Sequence, residues 1–178
     1  MTERVLIVVA PYYEAISDKL LEGATAVLNE RGCEVHVREV PGALELPVAI
    51  RIAMETDAFD GFVALGCVIR GETSHYDVVA GESCRALTDL ACGWGTAIGN
   101  GILTVENGEQ AEVRADPAQK DKGGDAARAC VALMELRAEM GPGGGDEDDD
   151  PEGEREPTFR PDDEHVLMAG SDGTARRA

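Results

Sequence analysis

The stretch Gly66-Cys67-Val68-Ile69-Arg70-Gly71-Glu72-Thr73-Ser74-His75 places a hydroxyl residue two positions before a histidine, directly after the apolar run Phe62-Val63-Ala64-Leu65. Histidine exchanges protons near neutral pH, so one at a loop mouth is a natural proton donor or acceptor. A glycine-rich turn leading from a strand into a helix exposes backbone N–H groups, and with the Thr73 hydroxyl these can cradle an anion. Read from the local sequence alone, a helix cap or the partner of a backbone carbonyl is the favoured role for His75. Arg114 and Lys122 offer further anion chemistry, since a guanidinium fork matches phosphate and an ammonium at a helix start adds mobile charge. Arg114 also stands within reach of Gln110 or a nearby acid on a solvated helix face. Tyr12 presents a ring at the end of an apolar run, suited to stacking on a planar ligand or to closing the sheet. Glu45, four residues after Pro41, is placed to bind hydroxyls or an exposed helix end. Of the other histidines, His36 falls on the exposed face of a strand and His165 near the C-terminus.

Those residues need elements to hold them, and the hydropathy pattern supplies alternating strands and helices. Residues 4–10 form a β-branched run suited to a strand covered on both faces, and Pro11 stops it. Ile16, Leu20, Gly23, Val27 and Leu28 follow helical spacing over 14–31, with Gly32 where a helix C-terminal glycine belongs. Val35, Val37 and Val40 alternate with charged neighbours, which predicts a strand over 34–40 nearer the sheet edge. Residues 41–47 connect to a helix ending near Met54. The third strand is predicted over 60–67, broken at the glycines beyond it, and the third helix over 78–93, with Trp94 packed at its end. A fourth strand over 97–104 contains Gly99 and Gly101, where neighbouring groups must approach the backbone closely. A short helix over 106–115 ends at Asp116-Pro117, and a last helix over 122–140 carries Ala127, Val131, Met134 and Ala138 along one stripe. This alternation implies an α/β fold, a mostly four-stranded parallel sheet sandwiched between helices as a three-layer α/β/α structure.

A chain of 178 residues has room for one domain with a real core, here residues 1–140. The formal net charge of −19 argues against nucleic acid or an anionic membrane surface as partner. No apolar run approaches the ~20 residues of a membrane span, and the N-terminus lacks a signal peptide's pattern, so the expected location is cytoplasmic. Five cysteines are scattered without a CxxC pair, which fits neither a zinc site nor a disulfide framework. Four of them, in apolar segments, are expected to act as small buried hydrophobes. After Met140 the composition shifts to Gly141-Pro142-Gly143-Gly144-Gly145 and then Asp146-Glu147-Asp148-Asp149-Asp150. Residues 141–178 hold too little apolar material to offset their ordering entropy and are predicted to be disordered. Their acids lack the spacing of a calcium loop.

Three blocks carry a family resemblance: Val40-Pro41-Gly42-Ala43-Leu44-Glu45-Leu46-Pro47; Ala64 to Asp77, including Gly66-Cys67-Val68-Ile69-Arg70-Gly71-Glu72-Thr73-Ser74-His75; and Asn100 to Asn107 with Glu109-Gln110-Ala111 and Lys122-Gly123-Gly124. In this order and spacing they resemble the 6,7-dimethyl-8-ribityllumazine synthase family, over about residues 5–136. The second block is highly specific. The resemblance implies a flavodoxin-like sheet and an enzyme of riboflavin biosynthesis that uses no metal and no organic cofactor. Its substrates would be 5-amino-6-(D-ribitylamino)uracil and 3,4-dihydroxy-2-butanone 4-phosphate, with phosphate and water released. By the same likeness His75 would transfer protons, while Glu72, Thr73, Arg114 and Lys122 would bind the phosphate. Tyr12 would stack on the pyrimidinedione ring. Ala43, Leu44, Glu45, Cys67, Val68, Ile69 and Asn100 would line the rest of the substrate site.

Each site in the family lies between neighbouring subunits of a pentamer, so the implied partner is a second copy of the chain. Some positions depart from the family pattern. Tyr13 stands where asparagine is usual, Asn100 replaces the commoner phenylalanine, and the stretch from Cys92 to Ala97 lacks the usual proline. The first two bear on substrate packing rather than on the phosphate cradle. They keep open a second reading, a paralogue that holds a flavin or lumazine with little turnover. A third is a pentameric or shell-forming scaffold with an interaction tail; the set His75, Arg114 and Lys122 favours the enzyme, because a scaffold has no need of it.

Overall fold

The computed structural model describes residues 2–141. The run Val5-Leu6-Ile7-Val8-Val9 has no polar side to offer water, so it is accommodated only where both faces are covered. It forms β1 (Arg4–Val9), the inner strand between β2 (Glu34–Glu39) and β3 (Gly61–Ile69), with β4 (Ala97–Val105) beyond β3. All pairs are parallel, in the order β2-β1-β3-β4, with Val5 opposite both Val35 and Gly61. Alternation along the strands divides the core in two. Val5, Ile7, Val63 and Leu65 face Leu20, Leu28, Ala111, Ala127 and Cys130, so α1 (Glu14–Glu30), α4 (Gly108–Ala115) and α5 (Lys122–Glu139) cover one side. Leu6, Val8, Phe62 and Ala64 face Leu46, Ile50 and Leu87 from α2 (Glu45–Met54) and α3 (His75–Trp94) on the other. The result is the expected three-layer sandwich with a flavodoxin-like strand order.

The alternating second strand is indeed an edge, and Gly32 takes a φ of +77° after α1. Close approach at Gly99 is also as expected: a Cβ there would lie 2.0 Å from the Ala126 carbonyl oxygen of α5. Cys33, Cys67 and Cys130 are buried, Cys84 is half-buried and Cys92 is exposed, and all five are free thiols.

Several boundaries differ from expectation. β3 continues through Gly66 to Ile69, because Gly66 pairs in register with Ile102 of β4 and has only side chains near it. The chain breaks instead at Arg70-Gly71. α2 begins at Glu45 and takes Pro47 into its first turn, where a missing N–H forfeits no helical bond. α3 begins at His75 rather than residue 78, and α4 at Gly108, where the Asn107 side chain accepts from the Gln110 N–H at 2.9 Å. The buried stripe of α5 runs through Gly123, Ala127, Cys130, Val131 and Met134; Ala138 is exposed because the helix has passed the end of the sheet. Trp94 is not packed into the core but 49% exposed, with the Arg51 guanidinium 4.6 Å from its ring centroid. His36 is half-buried rather than exposed, its Nε2 2.8 Å from Glu34 Oε1 and its ring 5.3 Å from that of Phe59. The Gly-rich acidic stretch from residue 142 onward, predicted to be disordered, lies outside the described residues.

Candidate active site

From β1 the chain crosses to β2 on one side, while β3 leads to β4 on the other, so the order reverses between β1 and β3. Such a switch point leaves a crevice at the carboxyl ends of the two strands. Three connections close around it. After β1, the Ala10 N–H donates to the Leu65 carbonyl at 2.9 Å and the buried Ser17 hydroxyl of α1 donates to the Ala10 carbonyl at 3.1 Å. That pins the turn Pro11–Tyr13, which leaves Tyr12 75% exposed and Tyr13 half-buried, their rings 5.1 Å apart edge to face. After β2, the Glu45 and Leu46 N–H groups donate to the Gly42 and Ala43 carbonyls at 3.2 and 3.3 Å, curling the chain into α2 with Ala43 buried. After β3, residues 70–74 lead into His75, whose N–H donates to Thr73 Oγ1 at 3.4 Å.

The cavity enclosed is about 370 Å³. Of the residues singled out in the sequence, Tyr12, Ala43, Leu44, Glu45, Cys67, Val68, Ile69, Thr73 and His75 line it. Tyr13, which departs from the family pattern, also lines it, as do Tyr76 and Val79, for which the sequence carries no site expectation. The signal was available for Tyr76, which follows His75 on the first turn of α3, once the helix is known to start there. Burial pushes the Cys67 thiol up to about 11, so Cys67 contributes a neutral wall and not a thiolate. Burial likewise raises the Tyr13 phenol, which keeps its hydroxyl protonated. The backbone N–H groups of Glu72, Thr73 and Ser74 have no hydrogen-bond acceptor among the described residues. Donors free at the start of a long helix, with a threonine hydroxyl beside them, can hold an oxyanion next to the His75 imidazole.

The remaining expected site residues do not line this cavity. Glu72 sits on the exposed loop beside it. Asn100 is exposed in the middle of the edge strand β4, its Oδ1 accepting from the Ile102 N–H at 3.0 Å. Arg114, in the last turn of α4, donates to the Gln110 carbonyl at 3.1 Å, as one local reading of its position anticipated. Lys122, at the start of α5, has its ammonium 2.5 Å from Asp125 Oδ2. One chain therefore gathers Tyr12, the Glu45 turn and His75 at the switch point and carries Arg114 and Lys122 apart from them on α4 and α5. Among the described residues, no group of three or more His, Cys, Asp or Glu is arranged to hold a metal, and no helix is long and apolar enough to cross a membrane.

Residues 2–138 match the family model described as 6,7-dimethyl-8-ribityllumazine synthase. A protein of that name from Novosphingobium aromaticivorans is 58% identical over 132 residues, covering 74% of this chain and 94% of the relative. One from Erythrobacter litoralis is 56% identical over 138 residues, covering 78% and 98%. One from Zymomonas mobilis is 53% identical over 135 residues, covering 76% and 96%.

Proposed function

The chain belongs to the 6,7-dimethyl-8-ribityllumazine synthase family, transferases of riboflavin biosynthesis, and from that premise we propose how its own residues carry the reaction. The enzyme condenses 5-amino-6-(D-ribitylamino)uracil with 3,4-dihydroxy-2-butanone 4-phosphate and releases phosphate and water. Three demands follow: an amine must attack a ketone to form a Schiff base, phosphate must leave, and a second amine must close the ring. Each step moves a proton, and the phosphate needs a fixed cradle throughout.

His75 takes and returns those protons from the mouth of the cavity. Thr73, Glu72 through its backbone N–H, and the start of α3 hold the phosphate. Tyr12 covers the pyrimidinedione ring, and Ala43, Leu44, Glu45, Cys67, Val68 and Ile69 line the ribityl and ring pocket. The observation that carries this reading is the cavity itself, which gathers Tyr12, the Glu45 turn, the end of β3 and His75 at one switch point. Arg114, Lys122 and Asn100 stand off its wall, and we assign them to the cavity of the neighbouring subunit in a homopentamer. Leu44, which caps α2, and Val48 and Ile52 along it are spaced by four and are 38%, 59% and 61% exposed, an apolar stripe beside the cavity that a neighbouring subunit would cover. In a protein of net charge −19, cations brought in from a neighbour also make the phosphate site locally positive. The location we assign is cytoplasmic.

The test is complementation. His75→Ala and Arg114→Ala subunits, each nearly inactive alone, are co-refolded in equal amounts and assayed by the absorbance of the lumazine product. If every site takes His75 from one chain and Arg114 from the next, random assembly around a ring leaves about one quarter of sites intact. Recovery to about that level supports a shared site. No recovery from well-assembled mixtures places both residues in one chain's site and overturns the assignment.

A further inference from the structure

Arg70 is the one arginine of the Gly66–His75 stretch, and the roles assigned above leave it unused. Its backbone N–H donates to the Val105 carbonyl at 2.9 Å, carrying the β3–β4 ladder one residue past the strand. The guanidinium then reaches acids on two different elements. Nε lies 3.0 Å from Glu106 Oε2, just beyond β4, and Nη1 lies 3.1 Å from Asp77 Oδ1, in the first turn of α3. The same guanidinium carbon sits 4.0 Å from the centroid of the Tyr76 ring, which lines the cavity beside His75.

Tyr76 and Val79 pack on the apolar cluster over the sheet, but apolar packing alone does not fix the direction of the first turn of α3. Residues 71–74 are all exposed, and among the described residues their one side-chain hydrogen bond is from the His75 N–H to Thr73 Oγ1 at 3.4 Å. A single exposed ion pair holds little by itself. Two carboxylates and an aromatic face sharing one planar fork define an orientation that none of them defines alone.

We propose that Arg70 is a positioning residue of the active site: it clamps the first turn of α3, and with it His75 and Tyr76, to the ends of β3 and β4. The inference rests on the reading of His75 as the proton-transfer residue. A clamp predicts that substrate still binds while the reacting geometry loosens. A misplacement on the order of 1 Å in such a site costs up to ~10²-fold.

Arg70→Ala and Arg70→Lys are compared with the wild-type chain in steady-state kinetics and by amide hydrogen exchange. In Arg70→Ala, kcat falls about 10- to 100-fold with KM for either substrate changed less than about threefold. Arg70→Lys recovers only part of the loss, because an ammonium cannot bridge both acids while lying flat on Tyr76. Amides of residues 79–82, whose acceptors are the carbonyls of the first turn of α3, exchange faster in Arg70→Ala than in wild type. An unchanged kcat, a rise in KM alone, or unchanged exchange at those amides overturns the clamp. A wild-type chain that makes no lumazine overturns the assigned reaction instead, and the exchange measurement then decides the clamp by itself.

Discussion

Gly99→Ala is the substitution whose consequence follows most directly from the packing. The added methyl would sit 2.0 Å from the Ala126 carbonyl oxygen, 2.8 Å from its carbon and 3.3 Å from Cys130 Cβ. The nearest atoms belong to the backbone of α5, so no side chain can swing aside. An ordinary carbon–oxygen contact needs roughly 3.2 Å or more, and α5 would have to move off β4 by about 1 Å. Overpacking of this kind costs about 1–3 kcal/mol, and replacing a strand glycine returns about 0.5–1 kcal/mol. A net loss of about 1–2 kcal/mol is expected. In urea that lowers the unfolding midpoint by about 1 M without changing the slope, read at fixed protein concentration so that assembly does not shift between samples. Because Lys122 lies on the same helix four residues before Ala126, kcat/KM should also fall, by about 10-fold, with the loss concentrated in KM for the phosphate substrate. Gly101→Ala is the control. Its closest contact is the flexible Leu65 Cδ2 end at 2.7 Å, with Ala126 Cβ at 3.0 Å and the Ala64 carbonyl oxygen at 3.2 Å, so the overlap with fixed atoms is far less and the cost should be smaller. A Gly99→Ala protein with wild-type midpoint and wild-type kcat/KM would refute the tight seam between α5 and β4.

Other expectations are open to direct measurement. His75→Ala should slow lumazine formation by ~10²-fold, the usual contribution of one positioned proton-transfer group; an unchanged rate would remove His75 from its role. Arg114→Ala should weaken binding of inorganic phosphate or of the phosphorylated substrate by more than ~10-fold, and equal phosphate affinity in titration calorimetry would move Arg114 out of the pocket. Exposed Cys92 should react quickly with a thiol reagent at pH 8, whereas Cys67 and Cys130, buried and pushed up to about 11 and about 12, should stay unmodified until the protein unfolds. Those two thiols also set an alkaline limit. In the unfolded chain they lose protons from about 9.0, in the folded chain only nearer 11 to 12, so the folded state binds more protons in that window. Stability should therefore be full below pH 9 and fall as pH rises toward 11, and replacing Cys130 by Ala should flatten that fall; a thermal midpoint that does not decline there would contradict it.

The parts of this fold legible in the sequence are those set by local periodicity. An all-apolar run could only be an inner strand, the alternation of Val35 and Val37 could only suit an edge, and helical spacing followed by Gly32 bounded α1. The specific block from Gly66 to His75 likewise pointed to a stretch that lines the cavity, Thr73 and His75 included. The start of α3 was missed because its first turn is polar and carries no apolar stripe, so nothing periodic announces it until Val79 and Ser83 turn inward. Pro47 was misread for a related reason: a proline breaks a helix in its interior and costs nothing in its first turn, and which applies depends on where the helix begins.

Tertiary structure alone decided which functional side chains meet. Tyr12, Glu45, Cys67 and His75 come together because parallel pairing brings the ends of β1, β2 and β3 to one side of the sheet at a reversal of strand order. Arg114 and Lys122 are carried away from them by α4 and α5, on the face opposite α3. The same holds for Arg70, whose acids at residues 77 and 106 come from different elements. Residue types and short spacings encode what each group can do. Distances between groups on separate elements depend on strand order and helix packing, which come from many weak contacts summed over the whole core.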